Sequence, residues 1–215
     1  ALQHWLLLAR RGGSHEAWQA VLRLAPGLHD DDALLAAWQH QAERGALTEV
    51  QWRLLVDLYE RNGEPLAAAR YLLQRHRTRP QAMLLELAGD LLQRSGEDEQ
   101  AIAAFQQLAR DNGLTPELAL KIATLQYSLG GLADAHATLR RAQPLAEHAP
   151  DSYWRTLARL AWQLQDRHTA VSAYRRLIDR QGYTRADLEQ LINTLESDQP
   201  ASAALLAERL HREFG

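Results

Sequence analysis

Nine histidines, at positions 4, 15, 29, 40, 76, 136, 148, 168 and 211, are the obvious candidates for metal or proton chemistry in this 215-residue chain. No two of them flank a glutamate at the HExxH spacing, which sets two imidazoles and a base on one helix face. His29, followed by Asp30, Asp31 and Asp32, is the one cluster of hard-metal donor types. It lacks the internal glycine and closing glutamate of a calcium loop. It reads instead as the start of a helix, where carboxylates meet the positive end of the dipole. With no cysteine and no Gly-x-Ser-x-Gly elbow, nucleophilic catalysis has no carrier. Carboxylates are spread along the whole chain, so no glycosidase-like pair stands out. The steps Gly12-Gly13 and Gly130-Gly131 lack the residues that would follow in a phosphate-cradling loop. The strongest basic run, Arg75-His76-Arg77-Thr78-Arg79, falls at the end of a helical segment, where cations offset the dipole. The chain is read as a non-enzyme, with no catalytic residue, no metal site and no cofactor.

Composition points to a folded, helical chain. Hydrophobic residues make up 46% and charged residues 24%, enough for a sizeable core and a solvated surface. Ala, Leu, Arg and Gln dominate, all good helix formers, and β-branched runs are missing. A net charge of −3 predicts binding to neither nucleic acid nor a membrane surface. The lack of cysteine suits the cytosol and the periplasm equally. No apolar run approaches the roughly 18–20 residues of a membrane span. The apolar part of the opening, Trp5 to Ala9, is too short for a signal-peptide core. The chain is therefore expected to be a piece of a longer protein.

The elements that would position any functional side chain recur. A small residue returns at Ala68, Ala101, Ala135 and Ala170, in steps of 33, 34 and 35 residues. Four residues on, a large apolar position follows the same rhythm: Leu72, Phe105, Leu139 and Tyr174. Sixteen residues before the alanine stand Trp52, Leu85, Ala119 and Trp154. The turn keeps step at Gly63, Gly96 and Gly130, then departs to Gln165.

Period and residue types resemble the tetratricopeptide repeat, a helix–turn–helix unit of about 34 residues. The best copies run through Trp52, Leu55, Val56, Tyr59, Gly63, Ala68 and Leu72, then Leu85, Ala88, Gly89, Leu92, Ala101, Phe105 and Leu108, and last Trp154, Leu157, Ala158, Ala161, Ala170, Tyr174 and Leu177. The copy between them is weaker, with Ala119 replacing a large residue and Gln126 where Leu or an aromatic belongs. The resemblance implies an all-α fold, a right-handed αα-superhelix (solenoid) of stacked helix pairs whose A helices line the concave face. One array is expected over 1–215, with firm repeats at 49–80, 81–115, 116–150 and 151–182 and less regular pairs at 1–48 and 183–215.

The firm helix pairs are expected near 49–61 with 65–76, 81–94 with 97–110, 116–129 with 132–143, and 151–164 with 167–180. Prolines 80, 116 and 150 mark the linkers, stopping one helix and suiting the first turn of the next. A last pair, about 185–196 and 200–213, carries Leu188, Leu191, Ile192 and Leu195, then Ala203, Ala207 and Leu210. At the other end, helices are expected near 3–11 (Trp5, Leu8, Ala9), 14–25 and 32–43 (Leu34, Leu35, Trp38), with a turn at Arg11-Gly12-Gly13 and Ser14 as an N-cap. These three cannot alternate A and B and still deliver 49–61 as an A helix. Either the 32–43 helix is an insertion or the first pair runs in the opposite phase.

By the same resemblance, the second, fifth, sixth, ninth and twelfth positions of each repeat face the groove. They select Arg53, Asp57 and Glu60, then Met83, Glu86, Asp90 and Gln93, then Lys121, Thr124 and Tyr127, and finally Arg155, Arg159 and Trp162. The candidate partner-binding set is Arg53, Asp57, Glu86, Asp90, Lys121, Tyr127, Arg155, Arg159 and Trp162. It is acidic around Glu86 and Asp90 and cationic and aromatic around Arg155, Arg159 and Trp162, and Arg and Trp are frequent interface anchors. Trp162 is open to two readings, an exposed anchor or a contact with the neighbouring repeat. The ninth positions, Asp57, Asp90, Thr124 and Arg159, contain no Asn, so the chaperone-tail carboxylate clamp of some family members is not expected. In composition the chain most resembles the periplasmic repeat region of Pel-type exopolysaccharide outer-membrane export proteins. That resemblance implies a periplasmic, biofilm-matrix export scaffold that docks a polysaccharide deacetylase or hydrolase and guides polymer to the pore. A cationic polysaccharide meeting Glu86 and Asp90 is a further implied partner. The alternative is a cytosolic adaptor or assembly chaperone that holds a peptide in the same groove.

Overall fold

The computed structural model describes residues 1–12, 14–45 and 47–215, and all regular structure among them is helical. Two compact units emerge, Ala1–Ala104 and Phe105–Gly215, and the division falls within one helix.

The first unit holds α1 (Leu2–Gly12), α2 (His15–Leu24), α3 (Asp31–Glu43), α4 (Glu49–Arg61), α5 (Pro65–Thr78) and α6 (Ala82–Arg94). Helices α2, α3 and α4 begin where the sequence offers a side-chain oxygen to the orphan amides of a first turn. Ser14 Oγ accepts from Ala17 N, and Asp30 Oδ1 accepts from Ala33 N at 2.9 Å. Thr48 and Gln51 form a reciprocal capping box. The acidic run beside His29 thus works as a helix start. Asp31 pairs with Arg61 at 3.4 Å and Asp32 accepts from Asn62, which ties α3 to the end of α4. The turn expected at Arg11-Gly12-Gly13 reaches Gly13, which lies outside the described residues.

The phase conflict resolves with α1 as the extra helix. Trp18 on α2 stands 34 residues before Trp52 and is buried like it. Trp18 stacks on His40 of α3, with ring centroids 5.0 Å apart, so α2 and α3 pair as A and B. Helix α3 also meets both helices of the following pair. Gln39 Nε2 donates to the Tyr59 hydroxyl, Tyr71 Oη donates to the Gln39 carbonyl, and Arg75 Nη2 donates to the Ala42 carbonyl at 2.7 Å. Arg75, first in the basic run, therefore caps the end of α3. Helix α1 buries Leu2, Leu6 and Ala9 against α2 and α3, and leaves Trp5 and Leu8 exposed.

The second unit contains the rest of α7 (Asp98–Asn112), then α8 (Pro116–Ser128), α9 (Leu132–Ala142), α10 (Asp151–Gln163), α11 (Arg167–Asp179), α12 (Arg185–Leu195) and α13 (Pro200–Phe214). Successive helices pack around one core that includes Ala135, Leu139, Tyr153, Leu157, Ala158, Tyr174 and Leu191. Burying each of the large apolar side chains contributes roughly 1.5–3 kcal/mol. In α13 the inner stripe is Ala203, Leu206 and Leu210; Ala207 faces outward, because the stripe advances by three and then four residues.

All three repeating columns are buried throughout. The alanines let paired helices approach closely, and the large residues fill the space beyond them. In the weak copy, half-buried Gln126 accepts a hydrogen bond from Thr138 Oγ1 at 2.8 Å, so its amide oxygen has a partner where an apolar side chain was expected. The turns also share one geometry. Gly63, Gly96 and Gly130 have φ of 76°, 77° and 83°, and the next amide reaches back five residues, as in Glu64 N to Tyr59 O. Gln165 adopts the same left-handed conformation, with φ 60° and the matching bond from Asp166 N to Ala161 O.

Candidate functional site

In the first unit the expected face combines α4 and α6. Arg53 is exposed and pairs with Glu49 one turn earlier at 2.9 Å. Its guanidinium is held in the charged form by the hydrogen bond it donates to Glu49 first, then by that carboxylate's charge and by those of Glu86 and Asp90. Three of the selected residues thus share one electrostatic neighbourhood. Glu60 bridges to Arg94 of α6 at 2.9 Å, so the two helices are cross-linked along the same side. Asp57 is exposed, Met83 is half-buried and Gln93 is exposed.

In the second unit the expected residues separate. Arg159 of α10 lies over the ring of Tyr127 of α8, 5.5 Å from its centroid. Trp162, one turn along α10, is 45% exposed, so the indole is a surface group. Lys121 lies over the ring of buried Phe105 at 5.2 Å, and Thr124 Oγ1 donates to the Leu120 carbonyl of its own helix. Arg155 is turned inward. Its Nε donates to both Asp187 carboxylate oxygens, at 3.0 and 3.3 Å, and its Nη2 donates to the Gly182 carbonyl at 2.7 Å. Asp187 also accepts from Thr184 N and Oγ1, so Arg155 anchors the start of α12. Tyr127, Arg159 and Trp162 remain as a contiguous aromatic and cationic surface.

Burial raises the Tyr174 hydroxyl to about 12, with Asp187 adding to the rise and Arg159 opposing it. Buried Tyr153 is pushed up further and donates to the Leu139 carbonyl at 2.6 Å. Both tyrosines are core residues, neutral at ordinary pH. Among the described residues no group of three or more His, Cys, Asp or Glu side chains is placed to hold a metal ion. Among the described residues no helix is long and apolar enough to cross a membrane.

Sequence reasoning passed over one feature, an apolar cleft beside α4 lined by Leu34, Trp38 and Leu54. Val50 and Leu54 stand off the core stripe of α4 and are exposed, which was the available signal.

Antiparallel helix pairs with small residues at the crossings and a polar, aromatic-bearing A-helix surface define an all-α repeat protein of the kind that binds other proteins. A family model described as tetratricopeptide repeat matches residues 107–215, just over half of the chain, and the chain belongs to that family. No curated protein matches it. Among solved structures it is similar to YrrB, described as a tetratricopeptide repeat protein with an unusual peptide-binding site. That likeness has a TM-score of 0.60 at 14% identity, over 83% of this chain and 94% of that one. It is also similar to PilF of Pseudomonas aeruginosa, with a TM-score of 0.56 at 16% identity over 93% and 92%. A third is a tetratricopeptide repeat protein from Parabacteroides merdae, with a TM-score of 0.54 at 14% identity over 91% and 79%. At such identities the likeness concerns the fold.

Proposed function

We propose that this chain is a non-enzymatic docking scaffold whose A-helix face receives a partner protein at Tyr127, Arg159 and Trp162. The observation that carries the reading is the exposed Trp162 beside the Arg159–Tyr127 stack. Large rigid aromatics lose little side-chain entropy when covered, and Trp, Tyr and Arg dominate binding energy where they occur. Lys121 belongs to the same unit and extends this proposed surface, Arg53, Asp57, Glu86 and Asp90 form a separate polar A-helix face in the first unit, and Arg155 serves the fold.

In finer terms the scaffold is a periplasmic segment of an exopolysaccharide export protein of the outer membrane, one array over 1–215 that docks a polysaccharide deacetylase or hydrolase. The Arg/Ala/Leu/Gln composition supports this reading. A cationic polysaccharide would meet Glu86 and Asp90 in a salt-sensitive contact. A second reading, a cytosolic adaptor or assembly chaperone holding a peptide, draws on the likeness to YrrB and its peptide-binding site.

The test is affinity capture from a bacterial envelope extract, comparing the chain with an Arg159→Glu, Trp162→Ala variant of equal helicity. A polysaccharide-modifying enzyme held by the parent and lost by the variant is the expected result. Equal retention by both would move the docking site elsewhere. Cytosolic partners alone would remove the export reading and leave the adaptor.

A further inference from the structure

A cleft of about 610 Å³ opens in the first unit between the α2–α3 pair and α4. Its walls are apolar. Leu22 and Pro26 come from the end of α2 and just beyond it, Leu34 and Trp38 stand one turn apart on α3, and Leu54 projects from α4. Leu54 is 47% exposed, and Val50, one turn before it on α4, is 67% exposed. Neither contributes to the core stripe of α4, which consists of Trp52, Leu55, Val56, Leu58 and Tyr59. A volume in this range takes one or two large side chains of a ligand. Solvating this much apolar lining costs free energy that an apolar occupant would recover.

The charges at the mouth decide what accompanies the apolar group. Asp57, Glu60 and Arg61 all border the cleft. Arg61 is already paired with Asp31 at 3.4 Å, and Glu60 with Arg94 at 2.9 Å. Asp57, one turn from Leu54 and exposed, makes no ion pair or hydrogen bond among the described residues. The mouth therefore offers one uncompensated negative charge beside an apolar pocket. Such a mouth repels the anionic headgroups of a lipid surface, and it lacks the convergent donors that orient a small polar ligand.

We infer that this cleft docks a partner peptide bearing a bulky aliphatic or aromatic side chain, seated between Trp38 and Leu54, with a nearby lysine or arginine paired to Asp57. The inference rests on the reading of the chain as a scaffold and adds a second contact site, in the other unit from Trp162.

The probe is a displayed library of random 12-residue peptides selected on the purified chain, with the enriched peptide then fluorescein-labelled for anisotropy. Enriched peptides should carry an apolar anchor with a basic neighbour. Leu54→Glu should weaken binding by about tenfold or more, the scale of losing one well-buried anchor. Asp57→Lys should weaken it too and reverse its salt dependence, because added salt then screens a repulsion. Both positions are exposed, so both variants keep the fold, which circular dichroism verifies, and Leu205→Ala, at an exposed position outside both proposed surfaces, should bind as the parent does.

No enrichment, enrichment without the apolar–basic pairing, or full binding by both α4 variants would overturn the inference. Binding lost in Trp162→Ala but kept in Leu54→Glu would overturn it and leave the scaffold reading standing. Self-association in sedimentation that Leu54→Glu abolishes would assign the cleft to a second copy of the chain, which also overturns it. Failure to bind any peptide together with failure of the envelope capture would remove the scaffold reading as well.

Discussion

Arg155 Nε lies 3.0 Å from a carboxylate oxygen of Asp187, and this pair joins α10 to the start of α12. Asp187 is buried, and its carboxylate accepts from Arg155 and from the amide and hydroxyl of Thr184. With Nε shared between both carboxylate oxygens and Nη2 on the Gly182 carbonyl, this guanidinium is committed to contacts within the chain.

Replacing Arg155 with alanine should therefore cost stability rather than partner affinity. It removes charge-assisted bonds to a buried carboxylate and to the Gly182 carbonyl, a loss of about 1–3 kcal/mol. Urea unfolding measures it as a lower midpoint. An unchanged midpoint, or a selective loss of partner binding at full stability, would return Arg155 to the docking surface.

Gln165→Gly should stabilise the chain. The glutamine holds φ at 60° in a turn where Gly63, Gly96 and Gly130 hold the same conformation without a β-carbon. The side chain's strain there is about 1–2 kcal/mol, and glycine gives back about 0.4–1 kcal/mol through a freer unfolded chain. The net gain of roughly 0.5–1 kcal/mol should raise the unfolding midpoint. A drop would show that Gln165 contributes contacts worth more than its backbone strain.

Acid should weaken the second unit through His136. Burial lowers its pKa, against an opposing pull from Asp166, and Arg140 lowers it further. A histidine with a depressed folded pKa binds protons more readily when unfolded. Its contribution is whole above the unfolded value of about 6.5 and is lost as pH falls toward the folded value. Asp166, which caps α11 and sits 3.5 Å from His136, acts in the same direction lower down. Burial pulls its carboxyl up, but bonds from Thr169 and the charges of His136 and Arg140 leave it below the usual range. Denaturant midpoints should fall between about pH 7 and about pH 5, and His136→Gln should flatten that fall. An unaltered pH profile in the variant would place the acid sensitivity elsewhere.

Helix number, helix limits and the three buried columns could be read from the sequence because each depends on local chemistry. Ser14, Thr48 and Thr115 announce helix starts, the turn glycines announce ends, and the 3.6-residue period marks which side of a helix is apolar. A period does not say what stands opposite a given face. Arg155 and Arg159 lie one turn apart on the same helix, yet one is bound to Asp187, 32 residues further on, and the other lies over Tyr127, 32 residues back. The phase of α1, α2 and α3 was undetermined for the same reason: Trp18 matched the register of Trp52, but only the contacts of α3 with Tyr59, Tyr71 and Arg75 made α3 a B helix. Gln165 could not reveal its left-handed backbone, since its type does not require one. The cleft beside Leu54 exists because residues of α2, α3 and α4 meet there. Which residues are apolar was written along the chain; which of them lack a neighbour was settled when distant helices packed.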